Sequence, residues 1–343
     1  MITRLLAHAD LPRGAGRLII SQSQIHSPMG LKGRRYIQHC IPKMMPHPLD
    51  VTDSESDEIS AFYVPQVFPP PKPSWVWSTP ELNYYRIQYE VVPADKFFHG
   101  RKLSKARFKE PFWNEILTAQ YPEDAKVSEV KEFIHSLIAW KDYQAQTRLQ
   151  LASRILQMLD VVDTSINFAM NGPFCFKMNG VLMKACLPCA FITSEGYCLS
   201  SVDDVGRYRL AGLKNITNMD QLDSPVASLV AQAIAVAEHN FTRSVLTGDW
   251  QDWPDKSEKI YTCILLMHAI PIFVRIPVSK YLTSGVATGM RPRSETHVSL
   301  CIPTMIEKVE NPLTSLANRD LIFRYYQALK IFMPRRIHDV IQL

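Results

Sequence analysis

Apolar positions recur along this chain with two different periods, and the change of period divides it. Between residues 128 and 170 the spacing is helical. Ser128 can cap, Val130, Phe133, Ile134, Leu137 and Ile138 fall on one stripe, and Leu149, Leu151, Ile155, Leu156, Leu159 and Val162 continue it. The polar run from Lys141 to Arg148 interrupts the stripe, so the pattern permits one bent helix or two. Ser224-Pro225 opens a further helix, a capping hydroxyl followed by proline in the first turn. Its inward face is Val226, Leu229, Val230, Ala233, Ile234, Ala237 and Phe241, with several alanines for close packing. Thr79-Pro80-Glu81 has the same logic and predicts a helix to about Val91, with Leu82, Tyr85 and Tyr89 inward. A last helix is expected from about Leu316 to Phe332, ended by Pro334.

Over residues 173–192 the period shortens. Phe174-Cys175-Phe176-Lys177-Met178 and Val181-Leu182-Met183-Lys184-Ala185 flank Asn179-Gly180, a strong hairpin signal. A second short hairpin is expected around Ser194-Glu195-Gly196. Residues 260–276 read as one or two buried strands broken at Pro271, residues 286–293 as a loop and residues 297–303 as a strand. The expected class is α+β and predominantly helical: a helical body with one or two β-hairpins or short strands and a long extended N-terminal region. Three segments follow: an arm over 1–60, basic then acidic; an extended strap over 61–80; and one helix-rich body over 81–343.

Composition adds little to the body and much to the arm. The chain of 343 residues carries a net charge of +5. Residues 1–50 hold Arg4, Arg13, Arg17, Lys32, Arg34, Arg35 and Lys43 against Asp10 and Asp50, so the whole excess lies there. Such an arm meets phosphate or an acidic surface. It equally has the Arg-bearing, acid-poor, hydroxylated look of a mitochondrial presequence, with Arg34-Arg35-Tyr36 as a processing site, although Pro12, Gly14, Gly16 and Pro28 break any long amphipathic helix. A solvated tail without a partner is the bland alternative. The strap interleaves prolines with Phe62, Tyr63, Phe68, Trp75 and Trp77, too apolar for a free linker. It should lie across its own body or across a neighbouring subunit, making Phe68, Trp75 and Trp77 candidate contacts together with Trp250 and Trp253.

Lys96, Arg101, Lys102, Lys105, Arg107 and Lys109 follow one another with no acid among them, interleaved with Phe97, Phe98 and Phe108. Bases neutralise phosphate and aromatics stack on unpaired bases, so this is the internal nucleic-acid candidate beside Arg13, Arg17, Lys32, Arg34 and Arg35. The alternative is a solvated loop whose aromatics anchor it to the core.

Other chemistry is sparse. No phosphate-cradling glycine loop, His-Glu-x-x-His or Gly-x-Ser-x-Gly motif is present. Cys175, Cys186, Cys189 and Cys198 fall close together, but only Cys186 and Cys189 are spaced as a zinc or redox pair, and all four stand among apolar residues. Core packing is the preferred reading, with zinc second and redox third. Asp203-Asp204 would suit Mg²⁺ if they converged, and a capped turn with local ion pairs if they did not. No cofactor is expected. The longest uncharged apolar run, Ile260 to Val274, is broken by Pro271 and is short of a membrane span. These features favour a non-enzymatic structural subunit of a large RNA-containing assembly, such as a self-assembling viral coat protein in virion or cytoplasm. Its partners would be itself, other subunits and RNA. A mitochondrial matrix protein such as a ribosomal accessory subunit, and an enzyme of dispersed catalytic residues led by Cys186, Cys189 and Asp203, are the alternatives.

Overall fold

The computed structural model describes residues 68–162, 166–194, 196–204, 222–248, 258–267, 269–309 and 311–333. The chain divides after Val64, and residues from Pro65 onward form one compact unit that joins strap and body. The basic arm, Trp250 and Trp253 lie outside the described residues.

The core of this unit is a seven-stranded mixed sheet in the order β1-β7-β6-β5-β4-β3-β2. β2 (Ile166–Met178) and β3 (Val181–Thr193) form the long hairpin, β4 (Cys198–Asp204) continues it, and α5 (Asp223–Thr247) crosses over to β5 (Glu258–Met267). β4 and β5 run parallel, which a tight turn cannot achieve and a helical crossover can. β6 (Ile270–Ser279) and β7 (Thr296–Cys301) extend the sheet, with α6 (Lys280–Thr288) between them. β1 (Ile87–Val91) closes the far edge parallel to β7.

Helices cover both faces. α5, α1 (Thr79–Tyr84) and α6 pack on one face, over Leu187, Cys263, Leu265, Val274, Ile276 and Leu300. α3 (Ser128–Ile138), α4 (Ala145–Met158) and α7 (Leu316–Ala328) pack on the other, over Phe191, Val202, Ile264, Leu266 and Phe273. From Val226 to Ala237 every residue of α5 is buried, because its alanines admit neighbours where a polar face would stand in a surface helix.

The expected helical body with one or two hairpins is therefore corrected to an α/β/α sandwich around a single large sheet. Two misreadings account for it. The expected helix from Thr79 ends at Tyr84, capped by Ser78 and Glu81, and Arg86 turns the chain at φ 56° into strand β1. Leu82, Tyr85 and Tyr89 mimic a helical stripe, but Tyr89 faces its neighbours as a strand residue paired with Val298. Likewise the helical reading of 128–170 runs too far: α4 ends at Met158 and β2 already begins at Ile166. The hairpin forms at Asn179-Gly180, whose φ values of 51° and 77° are those a two-residue hairpin turn demands.

One irregularity decides which way the cysteines of the hairpin point. Ile166, Phe168 and Met170 of β2 face the α4 layer, whereas Phe174, Phe176 and Met178 face the α5 layer. The phase changes at Asn171, held at φ 52°, opposite Pro188 on β3. β3 changes with it, from Ala185 and Leu187 on the α5 side to Cys189 and Phe191 on the other.

Candidate nucleic-acid interface

The basic segment begins where α2 (Ala94–Phe97) ends. His99 and Gly100 take φ 56° and 74°, and the Gly100 N–H returns to the Asp95 carbonyl, so the chain reverses sharply. Phe97 and Phe98 are fully buried and hold this turn down. Phe98 stacks on Phe332 at 5.9 Å and meets Phe273 and Tyr325 edge-on. Residues 101–109 then run without helix or strand over the α4–α7 layer.

Their burial alternates at the end of this run. Ala106 and Phe108 point inward, Phe108 edge-on to Phe323 at 5.7 Å, while Lys105, Arg107 and Lys109 point outward and are exposed. The backbone is tied at the same two places: Arg107 N–H donates to the Gln327 side chain on α7, and Lys109 N–H to the Met158 carbonyl at the end of α4, each at 2.8 Å. That carbonyl end attracts cations. One turn earlier on α4, exposed Arg154 lies over the Trp113 and Phe133 rings at 5.4 and 5.3 Å. Arg101 and Lys102 are also exposed, and Lys96 forms a surface ion pair with Glu90 at 3.0 Å. The three phenylalanines thus serve as anchors, leaving the bases as the accessible chemistry.

The strap lies on its own body in its described part. Trp77 is buried, stacked on Tyr85 at 5.7 Å and edge-on to Phe176. Pro69 accepts a hydrogen bond from Asn179 at 2.7 Å, and Lys72 pairs with buried Glu81. Phe68 and Trp75 are each half exposed.

The four cysteines do not converge. The phase change at Asn171 and Pro188 sends Cys175 and Cys186 to the outward face of the hairpin. Cys189 points towards Ser153 of α4 at 3.1 Å, and Cys198 lies under α5, its backbone held on both sides by Asn240. Burial pushes the Cys189 and Cys263 thiols up to about 11 and Cys198 higher still, the opposite of an activated thiolate. Among the described residues no group of three or more His, Cys, Asp or Glu is placed to hold a metal ion.

Asp203 and Asp204 likewise diverge, as consecutive strand residues must. Asp203 faces α5, accepting from Gln232 at 2.9 Å and from the Asp204 N–H at 2.7 Å. Asp204 faces α4 and is gripped by Arg148. The nearby Arg207 and Arg209 lie outside the described residues.

Sequence reasoning missed Arg275. It interrupts Phe273-Val274-Arg275-Ile276 on β6, a lone charge in an apolar strand, which was the available signal. Its guanidinium comes to the start of the basic segment, donating to the Phe97 carbonyl at 2.9 Å. No protein-family model matches the chain, and no curated protein matches it by sequence. Among the described residues no helix is long and apolar enough to cross a membrane.

Proposed function

We propose that this chain is a non-enzymatic, RNA-binding subunit of a larger assembly, and that it meets the polynucleotide through its phosphates. The observation that carries the proposal is the outward alternation of Lys105, Arg107 and Lys109 around buried Ala106 and Phe108. Side chains two apart in an extended segment stand about 7 Å from each other, a spacing comparable to that of successive phosphates along a single strand. Binding of this kind is electrostatic and tolerant of sequence, since the aromatics that would stack on bases are anchors instead. The non-catalytic half rests on how the most reactive-looking groups are used: the buried carboxylates are engaged by Arg148 and Gln232, and the buried thiols are held protonated. Exposed Phe68 and Trp75 supply apolar surface for subunit contact, and a self-assembling coat is one such assembly.

Fluorescence anisotropy with a labelled single-stranded oligoribonucleotide over a salt series tests the binding. Each phosphate contact contributes about 0.7 to the slope of log K against log salt, so Lys105→Ala, Arg107→Ala and Lys109→Ala together should lower it by about 2. An unchanged slope in a normally folded triple variant would refute the stripe. Deletion of residues 1–49 separates the arm's share, and light-scattering mass of the purified chain tests assembly.

A further inference from the structure

Two basic side chains, Arg275 and His99, meet one aromatic ring, and Arg101 follows His99 by two residues, with no acid to balance them. Arg275 lies with its guanidinium carbon 5.2 Å from the Phe332 ring and 5.6 Å from the Phe97 ring. His99 meets the same Phe332 ring edge-on at 5.6 Å. Arg101 follows two residues later, and its charge and that of Arg275 both act on His99. None of the described carboxylates forms an ion pair with any of the three. Arg275 spends one nitrogen on the Phe97 carbonyl, while its Nε is buried with no acceptor. A half-buried guanidinium with an unfilled donor, beside a second arginine and an imidazole, is under-compensated in charge and in hydrogen bonds.

We propose that His99 and Arg275, which meet the Phe332 ring, form with the neighbouring Arg101 a discrete site for a dianionic phosphate monoester. A guanidinium offers paired donors that match phosphate oxygens, and the flanking rings fix its plane. Two permanent positive charges match two negative ones; an internal phosphodiester, with one, would leave the site half balanced. Burial and the two arginines hold His99 below its ordinary range, so it is poised to take up a proton when an anion arrives. The site also stands at the beginning of the exposed basic run, where Arg101 is its first member. A polynucleotide laid along residues 101–109 would bring its terminal phosphate there. That last step rests on the binding proposed above; the site itself does not, because a free phosphate monoester or inorganic phosphate has the same chemistry.

The test uses the full chain and three probes. Inorganic phosphate is titrated while the His99 ring resonances are followed by NMR. Labelled oligoribonucleotides of one sequence, with a 5′-phosphate or a 5′-hydroxyl, are compared by anisotropy, with a 3′-phosphate form as a further arm. The expected result is a saturable shift of His99 with phosphate and about tenfold tighter binding of one terminally phosphorylated form. His99→Ala and Arg275→Lys should each reduce that preference and leave hydroxyl-ended binding nearly unchanged, whereas Arg101→Ala, which also removes a base of the exposed run, should reduce the preference and weaken both forms. A His99 shift without terminal preference assigns the site to free phosphate. Absence of both overturns the site, even if the salt-dependent binding by Lys105, Arg107 and Lys109 persists. If neither oligonucleotide binds, the RNA-binding proposal fails while the phosphate titration still decides this one.

Discussion

Arg148 of α4 grips Asp204, the last residue of β4, through two parallel hydrogen bonds: Nε to Oδ2 at 2.7 Å and Nη2 to Oδ1 at 2.8 Å. The carboxylate is wholly buried and the guanidinium nearly so, and the same guanidinium donates to the Tyr143 carbonyl just before α4. On the other face Asp203 takes Gln232 of α5. Two adjacent residues thus fasten both helical layers to the sheet at the carboxyl end of β4.

Removing one partner of such a pair strands a buried charge, at a cost of about 3–5 kcal/mol. Arg148→Met should lose stability on that scale in urea unfolding. The double variant Arg148→Met, Asp204→Leu should recover most of it, because neither charge then remains to be desolvated. A nearly neutral single variant would mean that water reaches Asp204 and the pair is no clamp.

Gly289 ends α6 at φ 77° and sits against the Asn179 side chain at the hairpin tip. Asn179 in turn donates to Pro69 of the strap, and its backbone N–H to Val286 of α6. A Cβ at Gly289 would collide with the Asn179 carboxamide, whereas at Gly180, with the same φ, it would meet nothing within 4 Å. Gly180→Ala should therefore cost only the left-handed backbone term, about 1–2 kcal/mol. Gly289→Ala should cost visibly more and speed proteolytic cleavage in the strap; equal costs would show that Asn179 moves aside freely.

Arg319 is fully buried on α7 with no carboxylate among its partners. Nε donates to the Leu313 carbonyl and Nη1 to those of Ile116 and Ala119, all at 2.8 Å. Burial lowers its pKa to about 10. Arg319→Met leaves three carbonyls without donors and should cost about 2–4 kcal/mol, measured by chemical unfolding. Arg319→Lys should rescue only part, since one ammonium cannot span acceptors on both segments.

Local chemistry made some of this architecture legible. Asn179-Gly180 announces its turn because few other pairs tolerate two positive φ values, and α5 announces itself through Pro225 in its first turn and its alanine spacing, although the helix begins at Asp223 with Leu222 rather than Ser224 at the N-cap. β1 was hidden because its strand character comes from pairing Ile87 with Thr296, more than two hundred residues away, while its apolar residues fit a helix equally well. The bases of 101–109 were visible as composition; that Phe97, Phe98 and Phe108 are anchors depends on Phe332, Tyr325 and Phe323 from the far end of the chain. Arg275 reaches the same place only through the register of β6.

Glu238 of α5 gives the fold a pH dependence of definite sign. Its Oε2 accepts the Lys177 N–H at 3.1 Å, beside the Lys177 charge and next to His239, whose ring bonds the Gly196 carbonyl. Burial raises its pKa to about 7, outweighing that hydrogen bond and the lysine charge. A carboxyl raised on folding binds more protons in the folded state between the ordinary value of 4.5 and about 7. Its contribution to stability is thus complete below the lower value and lost as pH rises through the upper one. A tenfold change in proton affinity is worth about 1.4 kcal/mol, and partial exposure reduces the total to about 1–2 kcal/mol. Glu238→Gln keeps an acceptor for Lys177 without the charge. Its stability difference from the parent should be small at pH 4.5 and favour the variant by that amount at pH 8. A difference that stays flat across this range would mean that folding leaves the Glu238 carboxyl at its ordinary value.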